Sequence, residues 1–575
     1  MKSKIIIAFL SVSSLFLWSC SDLEEEVLDE SLKGSGQAQI VSGALAPAYG
    51  LLPQTFRHTR YYGLQLIASD EAILPARGGD QWYDGGKFIE VHTHKITPGN
   101  GLVGETWDYL TTNISRTVSA IGILEPMAET DSEARQGLYE MKALRAYLNM
   151  LMLDSWGLVF KKQNVDATSE ILRGAAAVDY LQSEFLSVVD HMNNDMGPGR
   201  LTQNAVYGFL AKLHLNAGVY RDPYATPIFS KQDMDKVIEY TNAIIDSGKH
   251  HMSAEYFDLF NDENHDNAEL IFALDQRGIL NNDHSRWAYW SLSGSMFPRP
   301  EYPNADGTDG PALTPDFYQT WVEAYGAVDP AMADARFYQA NVGVPENLKD
   351  LTGLNPQNDS DHFICVSAEE FEIDRGILRD TPWAPRKDAD GNFYTCDGGY
   401  RIYPVGERRE ADMQYYVDHT LEIDFQSNNG YASGYRVSKY QFSHSSPNGN
   451  NYSDVDLVLL RYAEIYLMRA EAKLRNGDAA GALSDVNFVR TARVARAPIP
   501  AALTSIDLDI LYRERGFELY WEMSRRTDMI RFGHYEDSWT EKSDTDIRHR
   551  LFPIPQSAID GASNTEGYLV QNEGY

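Results

Sequence analysis

The chain has 575 residues, with 83 acidic against 50 basic, a net charge of -33, and 43% hydrophobic and 12% aromatic residues. That composition is too apolar for a disordered chain, and the acidic excess argues against holding nucleic acid or anionic lipid through bulk charge. The length leaves room for a large core, built as several domains or as one long helical array.

Residues 1–19 divide into a start with two lysines, an apolar run over 5–17, and Trp18-Ser19 ahead of Cys20. The run is too short for a membrane span and reads as a secretory signal. Ser19 directly before Cys20 resembles a bacterial lipobox, where the thiol is diacylated and the cysteine becomes the mature N-terminus. An ordinary signal with an incidental cysteine is the alternative. Residues 20–36 then read as a lipidated cysteine and tether. Their acidic start, Ser21-Asp22-Leu23-Glu24-Glu25-Glu26, resembles the surface-export signal of certain outer-membrane lipoproteins. No later stretch approaches 18 apolar residues, so membrane attachment is expected through the lipid alone. Cys365 and Cys396 remain, either bridged or a free pair.

A helical scaffold is predicted over 37–255. Met141, Leu144, Leu148 and Leu151 recur on one helix face, and Gly157 suits a left-handed cap. Residues 206–220 and 234–247 read as two more helices, stopped by Asp222-Pro223 and by Gly248. Over 256–455 turn signals such as Asn304-Ala305-Asp306-Gly307 and Asp390-Gly391-Asn392 predict an irregular, loop-rich region, with helical islands in 315–338. Regular helix is predicted to return at 456 and open the last region, 456–575. Leu460, Ala463, Leu467, Ala470 and Leu474 step by three and four. Asn476-Gly477-Asp478 supplies a stop and an N-cap for a second helix carrying Ala482, Leu483, Val486 and Val489. Two antiparallel helices across a tight turn make a tetratricopeptide-like hairpin.

The C-terminal residues are more specific. The segment Leu460-Arg461-Tyr462-Ala463-Glu464-Ile465-Tyr466-Leu467-Met468-Arg469-Ala470-Glu471-Ala472 resembles a hallmark helix of the SusD/RagB family of nutrient-binding outer-membrane lipoproteins. Further blocks follow in the family's order: Arg513-Glu514-Arg515 with Glu518-Leu519, Arg526-Thr527-Asp528-Met529-Ile530-Arg531-Phe532-Gly533, Leu551-Phe552-Pro553-Ile554-Pro555, and Gln571-Asn572-Glu573-Gly574-Tyr575. Lys142-Ala143-Leu144-Arg145-Ala146, Trp156-Gly157 and Ala68-Ser69-Asp70-Glu71 are similar to N-terminal family segments. The resemblance implies a mainly α fold, a tetratricopeptide-like helical-hairpin scaffold with an irregular loop-rich ligand-binding region packed on it. It also implies an oligosaccharide or polysaccharide captured at the cell surface and delivered to a TonB-dependent, SusC-like outer-membrane transporter.

Most hallmark residues have a plainer reading as scaffold. Arg461, Glu464, Arg469 and Glu471 have spacings that suit ion pairs along a helix. Arg513, Glu514, Arg525, Arg526 and Asp528 suit a charged network bracing the C-terminal segment. Residues 551–555 suit an extended strap, because each proline biases its predecessor away from helix.

No H-E-x-x-H, G-x-S-x-G, P-loop, G-x-G-x-x-G or C-x-x-C motif occurs, so no catalytic residue, metal or cofactor is expected. His92 and His94 would share a strand face, without a third ligand nearby in sequence. His250-His251 suits capping of carbonyls at a helix end. Residues 388–399 begin like a calcium loop but carry glycine at the wrong positions, so a hairpin turn is expected. Carboxylates are plentiful, yet nothing singles out the pair that a glycoside hydrolase would need.

Sugar binding requires flat aromatic faces for C–H surfaces and polar groups for hydroxyls. Trp107, Trp156, Trp521 and Trp539 lie in or beside helical blocks and are expected in the core. Two loops carry exposed-looking aromatics. In 77–86, glycines flank Trp82 and Tyr83, with Asp80 beside them. In 286–290, an extended backbone would put Trp287 and Tyr289 on one face and Trp290 on the other. Trp82, Tyr83, Asp80, Trp287, Tyr289 and Trp290 are therefore the expected ligand contacts, with Asp70 a weaker addition and Trp321 and Trp383 held in reserve. A binder of peptide or another nutrient, and a glycoside hydrolase, are the rival functions.

Overall fold

A computed structural model describes residues 36–575, apart from 79–80, 163, 263, 277–285, 301–304, 408–414, 427–429 and 445–452. Cys20, the acidic tether and Asp80 lie outside the described residues.

Helices dominate, and they come in pairs. Gly101–Leu124 packs on Ser132–Trp156 across a short turn. Asn100 and Asp131 cap the two N-termini, each side chain accepting two backbone N–H groups of the first turn. The second helix ends at Gly157 with φ 66°. Gln203–Arg221 packs on Lys231–Asp246, and Tyr462–Arg475 on Ala479–Arg490. In the last pair the Asp478 carboxylate accepts from the Gly481 N–H, the N-cap read from the sequence. The pairs stack side by side, Lys231–Asp246 against Tyr462–Arg475, giving the expected tetratricopeptide-like scaffold.

Regular helix returns later than expected. Leu457–Arg461 is a strand paired antiparallel with Leu270–Leu274, and helix begins only at Tyr462. Residues 457–460 are a continuous apolar run, which suits a buried strand as well as a buried helix. Only the partner strand, far away in sequence, decides between them.

The middle region consists of short strands and turns. Gly399–Pro404 pairs with Thr395–Cys396, Ile364–Val366 and Trp383–Pro385, while Arg375–Leu378 pairs with Tyr338–Gln339 and Arg436–Ser438. Cys365 and Cys396 are bridged, which closes the alternative left open by the sequence. Residues 388–392 form a hairpin turn, with the Asp388 N–H donating to the Asn392 carbonyl at 2.8 Å. Pro315–Tyr325 is the helical island. One apolar cluster runs from Val41 to Ile554 and joins both helical ends, and a smaller one around Leu292, Phe371 and Ile402 fills the middle.

Buried ion pairs tie these parts together. Glu518 is fully buried between Arg336, Arg461 and Arg493, at 3.0, 2.7 and 2.6 Å. Burial opposes its ionisation, but Arg493, Arg461 and Arg336 outweigh burial and hold its carboxyl below the ordinary range. Arg526 reaches Asp154 at 2.9 Å, and Asp528 is shared by Arg515 and Arg531. Charged bracing of the C-terminal segment is therefore present. The expected pairs along the hallmark helix are mostly replaced by pairs across elements: Arg461 with Glu269, Glu518 and Glu522, Arg469 with Asp485, and Glu464 with Lys212. Only Glu471 pairs along the helix, with Arg475, and it also takes Arg531. The 551–555 strap is extended and buried, and the Trp156 indole donates to the Pro553 carbonyl at 3.0 Å.

Two stability predictions follow from the buried charges. Removing one member of such a cluster strands its partners, so Arg461→Met should cost about 3–5 kcal/mol in denaturant unfolding. A change under about 1 kcal/mol would show that the network is energetically idle. Glu71 is buried, and burial raises its pKa from 4.5 to about 8. Between those values the folded chain keeps a proton that the unfolded chain releases, so this group's contribution to stability falls as pH rises through the window. Glu71→Gln should therefore raise the melting temperature at pH 8.5 and leave it nearly unchanged at pH 5. A gain of equal size at both pH values would contradict this account.

Candidate functional site

Two buried guanidinium groups organise the Trp82 loop. Arg77 donates to the carbonyls of Gly310, Gly430 and Ser433, and Arg436 donates to the same Gly310 carbonyl and to Tyr431. Burial, then the nearby charge of Arg436, pushes the Arg77 pKa well below its usual value. Three stretches of chain are thus clamped at one point. The clamp needs close backbone approach. A Cβ on Gly310 would lie 2.3 Å from the Trp290 carbonyl oxygen, and one on Gly78 would lie 2.1 Å from the Tyr431 hydroxyl.

Beyond Arg77 the loop turns sharply. Trp82 has φ 63° and Asp84 φ 45°, a left-handed conformation costly for side-chain-bearing residues. Tertiary contacts hold it there. The Trp82 indole N–H donates to the Thr308 carbonyl at 2.7 Å, and the Gln81 amide donates to the same oxygen at 3.0 Å. The indole meets His58, Phe88 and Trp290 edge-on, with centroids 6.4, 6.2 and 6.1 Å away. The Arg286 guanidinium lies over it at 5.4 Å. Trp82 is therefore a half-buried post, and the outward ring is Tyr83, 49% exposed. Asp84 is paired with Lys87 at 3.2 Å.

The second aromatic cluster differs from its expected form. Residues 286–290 turn instead of extending, because the Arg286 carbonyl accepts from the N–H groups of Tyr289 and Trp290. Trp287 and Trp290 consequently join the main core, while Tyr289 enters the smaller cluster and stacks on Phe442 at 5.5 Å. All three are buried, and the Trp287 indole donates to the Phe56 carbonyl at 3.1 Å. Trp290 lies against Trp82, and none of the three offers a face to solvent. Asp70 is engaged by Arg525 through two bonds of 2.7 Å. Trp321 and Trp383 are buried, as are Trp107, Trp156, Trp521 and Trp539.

The structure adds residues that sequence reasoning passed over. His58 presses its ring on Trp82 and Trp290, and its Nδ1 accepts the Arg286 backbone N–H at 3.4 Å. Arg57 acts by charge on Arg286 and, with it, on Tyr289. Trp82, His58, Arg57 and Arg286 thus meet from three separate stretches, and Tyr83 follows Trp82 in the loop. Only the short distance from Arg286 to the aromatic cluster was visible in the sequence.

Other sites carry less chemistry for a sugar. His92 ends the helix Lys87–His92, and His94 follows in a turn, so the two do not share a strand. Both ring nitrogens of His92 face carbonyls, those of Ala72 and Thr540, and His94 Nε2 faces that of Ala68. His250 faces the Ala268 carbonyl through Nδ1 at 3.2 Å. A cleft of about 520 Å³ near Arg200 is lined by Asp195, His265, Asp266, Asp275 and Asp454, and no Trp, Tyr or Phe lines it. No helix among the described residues is long and apolar enough to cross a membrane.

Comparison with known proteins agrees with this architecture. Residues 247–575 match the SusD family. The starch-binding protein SusD of Bacteroides thetaiotaomicron is 27% identical over 469 residues, 78% of this chain and 74% of its own. Surface glycan-binding protein A from the same organism, solved with laminarihexaose, superposes with a TM-score of 0.61 at 18% identity, covering 92% of this chain and 98% of that one. A SusD superfamily protein from Parabacteroides distasonis gives a TM-score of 0.64 at 15% identity, covering 94% and 100%. These likenesses establish a shared fold, and with a family match over more than half its length, the chain belongs to the SusD family.

Proposed function

We propose that this protein is a cell-surface glycan-binding lipoprotein that captures oligosaccharide or polysaccharide and hands it to a TonB-dependent outer-membrane transporter. In this reading Cys20 carries the lipid, the body faces the cell exterior, and the protein binds without catalysing. Tyr83 carries the argument: an outward aromatic ring on a multiply pinned, left-handed loop, next in the chain to Trp82, over which the Arg286 guanidinium lies. A stiff platform loses little entropy when a sugar ring stacks on it. The binding of starch and of laminarihexaose by relatives supports a glycan over a peptide.

Truncating a central aromatic anchor costs on the order of 2 kcal/mol, or roughly 30-fold in affinity. Tyr83→Ala should weaken glycan binding by about that factor in titration calorimetry and leave the melting temperature unchanged. Trp82→Ala should lower both, because the indole also pins the loop. Unaltered affinity in Tyr83→Ala would move the platform elsewhere.

Attachment and partnership are tested together. In the native host the protein should fractionate with the outer membrane and co-purify with a transporter under mild detergent. Cys20→Ala should shift it out of the membrane fraction. Purification of the wild-type protein alone, with an unmodified Cys20 by intact mass, would contradict both parts.

A further inference from the structure

The chain has a net charge of -33, and its buried arginines are held either by carboxylates or, as at Arg77, Arg375 and Arg436, mainly by backbone carbonyls. Arg336, Arg461, Arg493, Arg515 and Arg531 each sit on at least one Asp or Glu. Arg57 and Arg286 do not. Among the described residues neither guanidinium forms an ion pair or donates a hydrogen bond, and the Nε of each is shut away from solvent without an acceptor. Arg286 only rests on the Trp82 ring at 5.4 Å. Its backbone N–H bonds to His58, the residue next to Arg57, so the two arginines share one edge of the site. The acidic groups facing them are Asp84, already taken by Lys87, and Asp306, which acts on Tyr289.

This arrangement is unfavourable in the free protein. A shielded N–H without an acceptor loses its water and gains nothing in return. Two like charges close together add repulsion, and burial together with Arg57 lowers the Arg286 pKa. An anion seated between them relieves both. A guanidinium presents paired N–H groups in a plane, which suits the two oxygens of a carboxylate or sulfate.

We propose that Arg57 and Arg286 receive the anionic group of an acidic glycan, a uronate carboxylate or a sulfate ester, while Tyr83 seats a ring of the same chain. This inference rests on the glycan-binding reading above and narrows its ligand class.

The experiment is titration calorimetry of the mature protein with four oligosaccharide probes of matched length. They are an oligogalacturonate, its methyl ester, a sulfated galactan fragment and a neutral cello-oligosaccharide. Each is run against wild type, Arg57→Gln and Arg286→Gln. Salt is held constant, because ions screen the long-range repulsion of an anion as well as its local attraction. At least one anionic probe should bind about tenfold or more tighter than both neutral probes, and each substitution should remove about tenfold of its affinity. Preference between galacturonate and sulfated galactan tells the two anion sources apart. Arg286→Gln also removes the stacking on Trp82, so a lowered melting temperature in that variant leaves Arg57→Gln to decide. Equal or tighter binding of the neutral probes, unchanged in both variants, overturns the acidic-ligand inference and leaves the glycan-binding reading intact. Failure of all four probes, together with no binding on a broad glycan array, overturns both.

Discussion

The fold depends on one buried carboxylate. Glu518 lies at the meeting point of Arg336 from the irregular middle, Arg461 from the strand that enters the hallmark helix, and Arg493 from beyond the last helical hairpin. Three charges from distant stretches converge on one acid with no access to water. Charges so placed tolerate little displacement, because any gap leaves a desolvated ion unpaired. The loop-rich middle has little regular structure to fix its position, and this cluster joins it to the scaffold. The apolar core alone would tolerate some sliding of packed surfaces, whereas paired guanidinium and carboxylate groups set a register.

The candidate site applies the same device at smaller scale. Arg77 and Arg436 grip a single carbonyl, that of Gly310, and so hold together the Trp82 loop, the 305–310 turn and the 430–436 stretch. Thr308 then receives the Trp82 indole. The left-handed backbone at Trp82 and Asp84 is sustained by this framework and sets Tyr83 outward. Strain of this kind persists only where surrounding contacts over-determine it, and it gathers at functional sites. Arg77 and Arg436 spend their guanidinium groups on carbonyls, whereas Arg57 and Arg286 donate to no acceptor among the described residues.

Much of this was legible in the sequence because it is written locally. Helix periodicity, the Gly157 and Gly477 stops and the Asp478 cap all act within a few residues, and each appears where expected. The ordered C-terminal blocks identified the family. What failed were inferences needing a distant partner. The run 457–460 became strand because 270–274 lies beside it. Trp287, Tyr289 and Trp290 sit among turn residues that look the same whether a turn is exposed or buried, and a single carbonyl at Arg286 bent them out of the extended register. The 77–86 loop was found, but of the two aromatics expected to face outward only Tyr83 is exposed, and Trp82 is a half-buried post. Arg57 and His58 carried no signal, since their importance comes entirely from whom they meet in space.

The central claim is that an acidic sugar binds at the Trp82 loop, with a ring on Tyr83 and its anionic group on Arg57 and Arg286. A crystal structure of the protein with a bound acidic oligosaccharide tests it most directly. The account predicts a sugar ring stacked on Tyr83 and its carboxylate or sulfate within hydrogen-bond distance of both guanidinium groups, with the Trp82 loop unmoved. An oligosaccharide seated in the acidic cleft near Arg200, or anywhere away from Tyr83 with Arg57 and Arg286 still unpaired, would contradict it.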